Sequence, residues 1–280
     1  MEKEIRNMSV IDFRVRPLYK HYKEGFDDAA INRFFDIFGY EVTDSLREKT
    51  LESLVKELDE AGVVKSVVPG RGAAGTTNEE LFEIADQYPD RFIIYPFLDV
   101  ANPQKALKDI DTYIINGKGK GASIEPGIGN DLKFDDERIF PIYEKLEKNN
   151  IPLIVTISGW VGKNIDNTLA TQVDIILNHF PKLVFIAAHA GWPYLGEFVA
   201  IAAKHPNLYL TADFEGTRGA GAFVLADAAK YMLRNQVIFA SSYPLGPIGQ
   251  GIKSVKEWNL SDETEQKILY GNAAKILGIE

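Results

Sequence analysis

The sequence contains no cysteine, which removes disulfides, thiolate metal ligands and a cysteine nucleophile together. Positive charge is in short supply as well. Lys+Arg 31 against Asp+Glu 40 leaves a formal net charge of −9, whereas a dedicated nucleic-acid binder needs a net basic surface, so no nucleic-acid partner is expected. Long apolar runs are also missing. The opening MEKEIRNMSVIDF holds no stretch of signal-peptide length, and the most apolar window, 183–203, is broken by His189, Gly191, Pro193, Gly196 and Glu197. A cytoplasmic protein without a membrane partner is the expectation.

What is present is the composition of an ordinary globular chain: 45% hydrophobic and 25% charged over 280 residues, which disfavours disorder and coiled coil. Eight short runs rich in Val, Ile, Phe and Leu occupy 9–15, 63–69, 92–99, 121–126, 152–158, 183–189, 208–214 and 237–243. From the second onward their starts are about 25 to 31 residues apart, room for a strand, a helix and two short loops. Helical signals fill the gaps. Thr43 or Asp44 can cap a helix whose Leu51, Leu54, Val55 and Leu58 form an apolar face. Asn102-Pro103 reads as N-cap and first helical position, and Asp135 or Asp136 starts a further helix. The alternation predicts an α/β fold, a (β/α)₈ TIM barrel forming a single domain over 1–280, because eight parallel strands close around a side-chain-filled interior. The first interval is too long for one helix and carries an extra helical stretch around 29–38, a helical insertion suited to a lid or a dimer contact.

Chemistry in such barrels sits at the C-terminal ends of the strands. The first ends with Arg14 and Arg16 on one side and Val15 on the other; the arginines either pair with carboxylates at the barrel mouth or clamp an anion. The second leads into Gly70-Arg71-Gly72-Ala73-Ala74-Gly75. Its G-x-G-x-x-G spelling is weak evidence for a dinucleotide because no acidic strand end follows about 20 residues on. Its glycines either shape a tight turn or bring Arg71 over the mouth. The fourth strand delivers Glu125, as a general base or an ion-pair partner. The fifth delivers only hydroxyls, Thr156 among them. His189 ends the sixth and is the one histidine of four at a strand end. Trp192 beside it is either an aromatic wall or packing. Asp213 ends the seventh, to orient His189 or hold an arginine, and Ser242 and Tyr243 end the eighth as candidate substrate contacts.

Taken in order, Val10-Ile11-Asp12, 117–126, 152–159, Ala188-His189-Ala190-Gly191, Pro206-Asn207-Leu208-Tyr209, 239–244 and the tail Ile268-Leu269-Tyr270-Gly271-Asn272-Ala273 resemble the amidohydrolase-related family of metal-dependent barrel hydrolases and decarboxylases. The resemblance runs over nearly the whole chain. It implies a metal held by His-x-His after the first strand, a histidine after the fifth and an aspartate after the eighth. Here those positions are Arg14, Arg16, Thr156 and Ser242. A guanidinium has no lone pair to give a metal and repels it, so no metal and no cofactor are expected. Two guanidiniums instead suit a carboxylate or a developing oxyanion.

The expected function is therefore a metal-independent hydrolase of a small anionic ester, lactone or amide. Arg14, Arg16 and Arg71 bind the anion, with Thr156, Trp192, Ser242 and Tyr243 around it, and His189, Asp213 and Glu125 form the catalytic set. A catalytically inactive metabolite-binding paralogue and a decarboxylase or lyase are the alternatives. A homodimer is the expected assembly, since twofold pairs are the commonest oligomers.

Overall fold

The computed structural model describes residues 9–279. All eight expected strands form. They are β1 Val10–Asp12, β2 Val63–Pro69, β3 Phe92–Tyr95, β4 Ala122–Ile124, β5 Leu153–Thr156, β6 Phe185–Ala188, β7 Leu208–Ala212 and β8 Val237–Phe239. Each pairs in parallel with its chain neighbour, giving runs β1-β2-β3 and β4 through β8. The ring closes through single bridges, Val15 with Tyr243 and Phe97 with Ser123, backed by Phe13 N–H donating to the Phe239 carbonyl at 3.0 Å. The architecture is the (β/α)₈ barrel that the hydrophobic spacing predicts.

Most strands stop two to four residues before the predicted C-terminal ends. The apolar runs continue, but the backbone leaves the ladder there to aim side chains into the mouth. Ser242 (φ 57), His189 (φ 62) and Ala190 (φ 49) take left-handed conformations, which cost a residue with a Cβ about 1–2 kcal/mol each. Such strain persists only where packing dictates it.

Two helix predictions need correction. The helix expected from Thr43 is two helices, Asp44–Glu48 and Leu51–Glu60. Lys49 turns left-handed between them (φ 53) and Thr50 starts the second by accepting from Ser53 N–H at 3.1 Å. The helix expected at Asp135 or Asp136 begins at Phe140, where Pro141 falls in the first turn and its missing N–H has no helical bond to make. The insertion helix does form, over Asp28–Phe38. Asp27 caps it by accepting from Ala30 N–H at 2.7 Å, Gly39 ends it, and it buries Ile31, Phe35 and Phe38 on one face.

The outer core, between strands and helices, is one large apolar cluster that includes Val15, Leu54, Leu153, Phe198 and Tyr243. A smaller cluster joins alternate strand residues, including Ile11, Val67, Ile154, Ile186 and Ile238, with Ala273 and Ala274 of the last helix. Asn272 ties that helix to the start of β8, donating from Nδ2 to the carbonyls of Val237 at 2.8 Å and Arg234 at 3.0 Å. No helix among the described residues is long and apolar enough to cross a membrane. Asn272→Ala leaves two carbonyls unpaired and should destabilise the fold by about 1–3 kcal/mol. A lowered urea midpoint at constant slope is the expected result, and an unchanged midpoint would show that the tail is not anchored through this side chain.

Candidate active site

The mouth of the barrel is built around two arginines that are almost wholly enclosed: Arg14 is 1% exposed and Arg16 0%. Their orientation follows from β1. Asp12 Oδ1 accepts from Arg14 N–H at 3.1 Å and from Ser241 N–H at 2.9 Å, so the strand bends after Asp12 and both arginines turn inward while Val15 joins the outer core. The Arg14 guanidinium spans three strand ends. Nη1 lies 2.7 Å from His189 Nε2 and donates to Ser242 Oγ at 3.1 Å, and Nη2 donates to Thr156 Oγ1 at 3.1 Å. Arg16 donates from Nε to the Tyr243 carbonyl at 3.0 Å and from Nη2 to the Ser242 carbonyl, and its Nη1 has no partner. The guanidinium of Arg16 also lies 4.9 Å from the centre of the Phe26 ring.

Among the described residues neither arginine is in contact with a carboxylate. Burial, joined by the charge of Arg71, pushes Arg14 down to about 10, and burial with the charge of Arg14 pushes Arg16 well below its ordinary value. Buried cations in this state gain from an anion.

An arginine is always a donor, so the 2.7 Å contact requires a bare lone pair on His189 Nε2 and places the ring proton on Nδ1. Nδ1 lies 3.0 Å from Asp213 Oδ2 and 3.7 Å from Glu215 Oε2, aligned for a good hydrogen bond with neither. Asp213 is fixed independently. Its Oδ2 accepts from Thr211 Oγ1, Ser242 Oγ and His189 N–H, each at 3.1 Å, and its Oδ1 accepts from Glu215 N–H. Burial opposes its charge, but His189, Arg14 and the Ser242 hydroxyl outweigh that and hold it below the usual carboxylate range. Burial, reinforced by Arg14, depresses His189 to about 4. At neutral pH the imidazole is therefore an uncharged base with its lone pair directed at the arginine pair.

Other expected residues take different places. Glu125 and Arg71 hold each other through Arg71 Nε, and Glu125 Oε2 also accepts from Ala73 N–H at 3.1 Å. Thr156 Oγ1 donates to Glu125 Oε1 at 3.3 Å. Burial raises the Glu125 pKa, but Arg71 and these hydrogen bonds bring it below the ordinary value, so Glu125 supports the site as an ion-pair partner while Arg71 is engaged. The glycines serve this loop: a Cβ on Gly72 would sit 2.5 Å from the Phe97 ring. Tyr243 needs correction as a substrate contact. Its ring packs in the outer core and its hydroxyl accepts from Ser45 Oγ at 3.1 Å, leaving only its carbonyl facing Arg16.

Two features escaped the sequence reading. Glu215 is buried beside His189, and Ser158 Oγ donates to its Oε1 at 2.8 Å. An aromatic roof also closes the mouth. Phe214 lies 5.4 Å from the His189 ring, Phe34 and Phe38 of the insertion helix pack on Phe214 and Trp160, and Trp160 stacks on Trp192 at 5.5 Å and 7°. Trp192 is thus part of a wall. Arg218 fastens the roof by donating to the carbonyls of Phe38 and Gly39 at 3.1 and 3.2 Å. The period-2 pattern of Thr211, Asp213 and Glu215 would have revealed Glu215; the roof is a tertiary contact with no local signal.

The residues present do not suit the divalent ion that the resemblance implies. Arg14 stands among Thr156, His189 and Ser242, where that ion would need donors, and the described residues hold no group of three or more His, Asp or Glu able to grip one.

A buried histidine facing a carboxylate at the strand ends of a (β/α)₈ barrel is an arrangement able to move a proton. The amidohydrolase family model matches residues 11–279, so the chain belongs to that family. A 2-amino-3-carboxymuconate-6-semialdehyde decarboxylase from Dictyostelium discoideum is 24% identical over 238 residues, 72% of this chain, and the chain spans only 66% of that relative's length. An uncharacterised TIM-barrel protein from Bordetella bronchiseptica matches with a TM-score of 0.89 and 28% identity over 97% of this chain and 99% of its own. A 2,6-dihydroxybenzoate decarboxylase from Rhizobium shares the fold, with a TM-score of 0.69 and 14% identity over 97% and 99%.

The depressed His189 has a consequence for stability. The folded chain binds fewer protons than the unfolded one between the ordinary pKa of 6.5 and about 4, so this contribution is complete above pH 6.5 and lost as pH falls toward 4. Asp12, raised by burial to about 6, titrates nearby with the opposite slope, so the comparison with His189→Gln isolates the histidine. From pH 7 to 4 wild type should lose on the order of 1–3 kcal/mol relative to the variant in urea unfolding. Parallel curves would mean that His189 titrates as it does in the unfolded chain.

Proposed function

We propose that the chain is an enzyme acting on a small carboxylate-bearing substrate by proton transfer without a metal, and that its reaction is hydrolysis of an ester, lactone or amide. The carrying observation is the contact of Arg14 with His189 Nε2, which joins an anion-seeking cation to a neutral base. Arg16 Nη1, buried and without a partner, supplies the second donor for an anion.

A substrate carboxylate drawing Arg14 toward itself releases the Nε2 lone pair. His189 then takes a proton from water as the water oxygen attacks the substrate carbonyl, Asp213 steadies the resulting imidazolium, and the guanidinium stabilises the oxyanion. Collapse breaks the bond to the leaving group, which takes the proton back from Nε2. Thr156 and Ser242 keep Arg14 in line, and the aromatic roof excludes water once closed.

Decarboxylation is the second reading. It is favoured by the decarboxylase names of two relatives and by Glu215, which burial and Asp213 hold well above the carboxylate range as a proton-bearing acid. A panel of small carboxylated lactones, esters and aromatic acids, turned over in ¹⁸O-labelled water with carbon dioxide monitored, separates the two. Labelled carboxylate without carbon dioxide is the expected product, and carbon dioxide release would replace hydrolysis with decarboxylation. His189→Ala and Arg14→Leu should each lower kcat/KM roughly 100-fold or more. Full turnover in both variants contradicts the proposed roles, and tight binding without turnover in wild type would make the protein a metabolite binder.

A further inference from the structure

The hydrolytic scheme gives Glu215 no task, yet the residue is built into the same site. It is 1% exposed and lies two positions beyond Asp213, so its carboxyl group also reaches His189. Oε1 accepts from Ser158 Oγ at 2.8 Å, whereas Oε2 has no partner and lies 3.7 Å from His189 Nδ1. Among the described residues no arginine bonds to it: Arg14 is spent on Thr156, Ser242 and His189, Arg16 on two carbonyls, and Arg71 on Glu125. A buried carboxylate with one bare oxygen and no cation in contact is costly, and a second negative charge beside Asp213 compounds the cost.

We infer that Glu215 is the uncharged half of a one-proton carboxyl pair behind His189, a positioning residue that leaves the imidazole Nδ1 proton to Asp213 and keeps Nε2 directed at Arg14. The inference rests on the reading of His189 as the base. With Oε1 accepting from Ser158, the carboxyl proton belongs on Oε2, and an O–H there is a poor acceptor for Nδ1–H. Were Glu215 ionised, its Oε2 would compete with Asp213 for that proton and draw the ring out of line with the arginine. The charged and titratable groups facing it are Asp213 and His189, with the fields of Arg14 and Arg16. Burial and Asp213 favour the neutral acid and outweigh the Ser158 hydrogen bond and the two arginines, which favour the anion.

Two spectroscopic measurements test this without a substrate. Infrared spectra of the intact protein at pH 7 should show a protonated-carboxyl band that disappears in Glu215→Gln, and no loss of such a band in that variant overturns the neutral assignment. ¹⁵N spectra of the histidine side chains, with His189 identified by its loss in His189→Gln, should show the Nδ1–H tautomer in wild type. Glu215→Gln, which keeps the neutral shape beside Nδ1 and leaves Arg14 and Asp213 in place, should keep that tautomer. Loss of that tautomer in the glutamine variant overturns the positioning role. With a substrate in hand, Glu215→Leu should lower kcat roughly tenfold at unchanged KM, with glutamine restoring it. Failure of every carboxylated substrate would instead strike the proposed function while leaving the spectroscopic result standing.

Discussion

The site depends on one buried guanidinium. Arg14 reaches from the first strand to the fifth, sixth and eighth, and the other groups arrange themselves around its fixed charge and donor-only chemistry. His189 must offer a lone pair to it and so remains neutral. Ser242 accepts from Arg14 and donates to Asp213, and Thr156 accepts from Arg14 and donates to Glu125. Each hydroxyl thereby passes the influence of the arginine to a carboxylate that does not touch it. A lysine would supply charge but not the planar fork that engages three strands together.

Charge in the mouth is divided accordingly. Arg71 and Glu125 cancel one another, and Asp213 faces His189. Among the described residues Arg14 and Arg16 make only neutral contacts, and Arg16 leaves one donor idle. Burying two like charges in this manner is unfavourable for stability, as the left-handed turn at His189 and Ala190 is for the backbone. Such costs concentrate where function demands them, and an anionic ligand would relieve the first. The insertion helix lays Phe34 and Phe38 on Phe214, whose ring lies against His189, so the apolar cover of the site is tied to this helix.

The barrel was legible in the sequence because hydrophobic spacing is a local property, and every strand begins within two residues of the start of its apolar run. The ends were overread. At Ser242 and Tyr243 the chain leaves the ladder, the alternation of faces fails, and the tyrosine turns into the outer core. Arg14, Arg16, Thr156, His189, Asp213 and Ser242 could be singled out because they stand at corresponding strand ends, and the structure brings them together. The pairing of Arg71 with Glu125 joins residues 54 apart in sequence and carries no local mark, as does the aromatic roof. The break at Lys49 is a single left-handed residue within a continuous helical pattern.

The central claim is that a guanidinium stands where the family resemblance places a divalent cation. Titration of manganese(II) into purified, chelator-treated wild-type protein, followed by calorimetry, tests it most directly. No stoichiometric binding at micromolar concentration is the predicted result; one tightly held ion per chain, lost on substitution of His189 and Asp213, would contradict it.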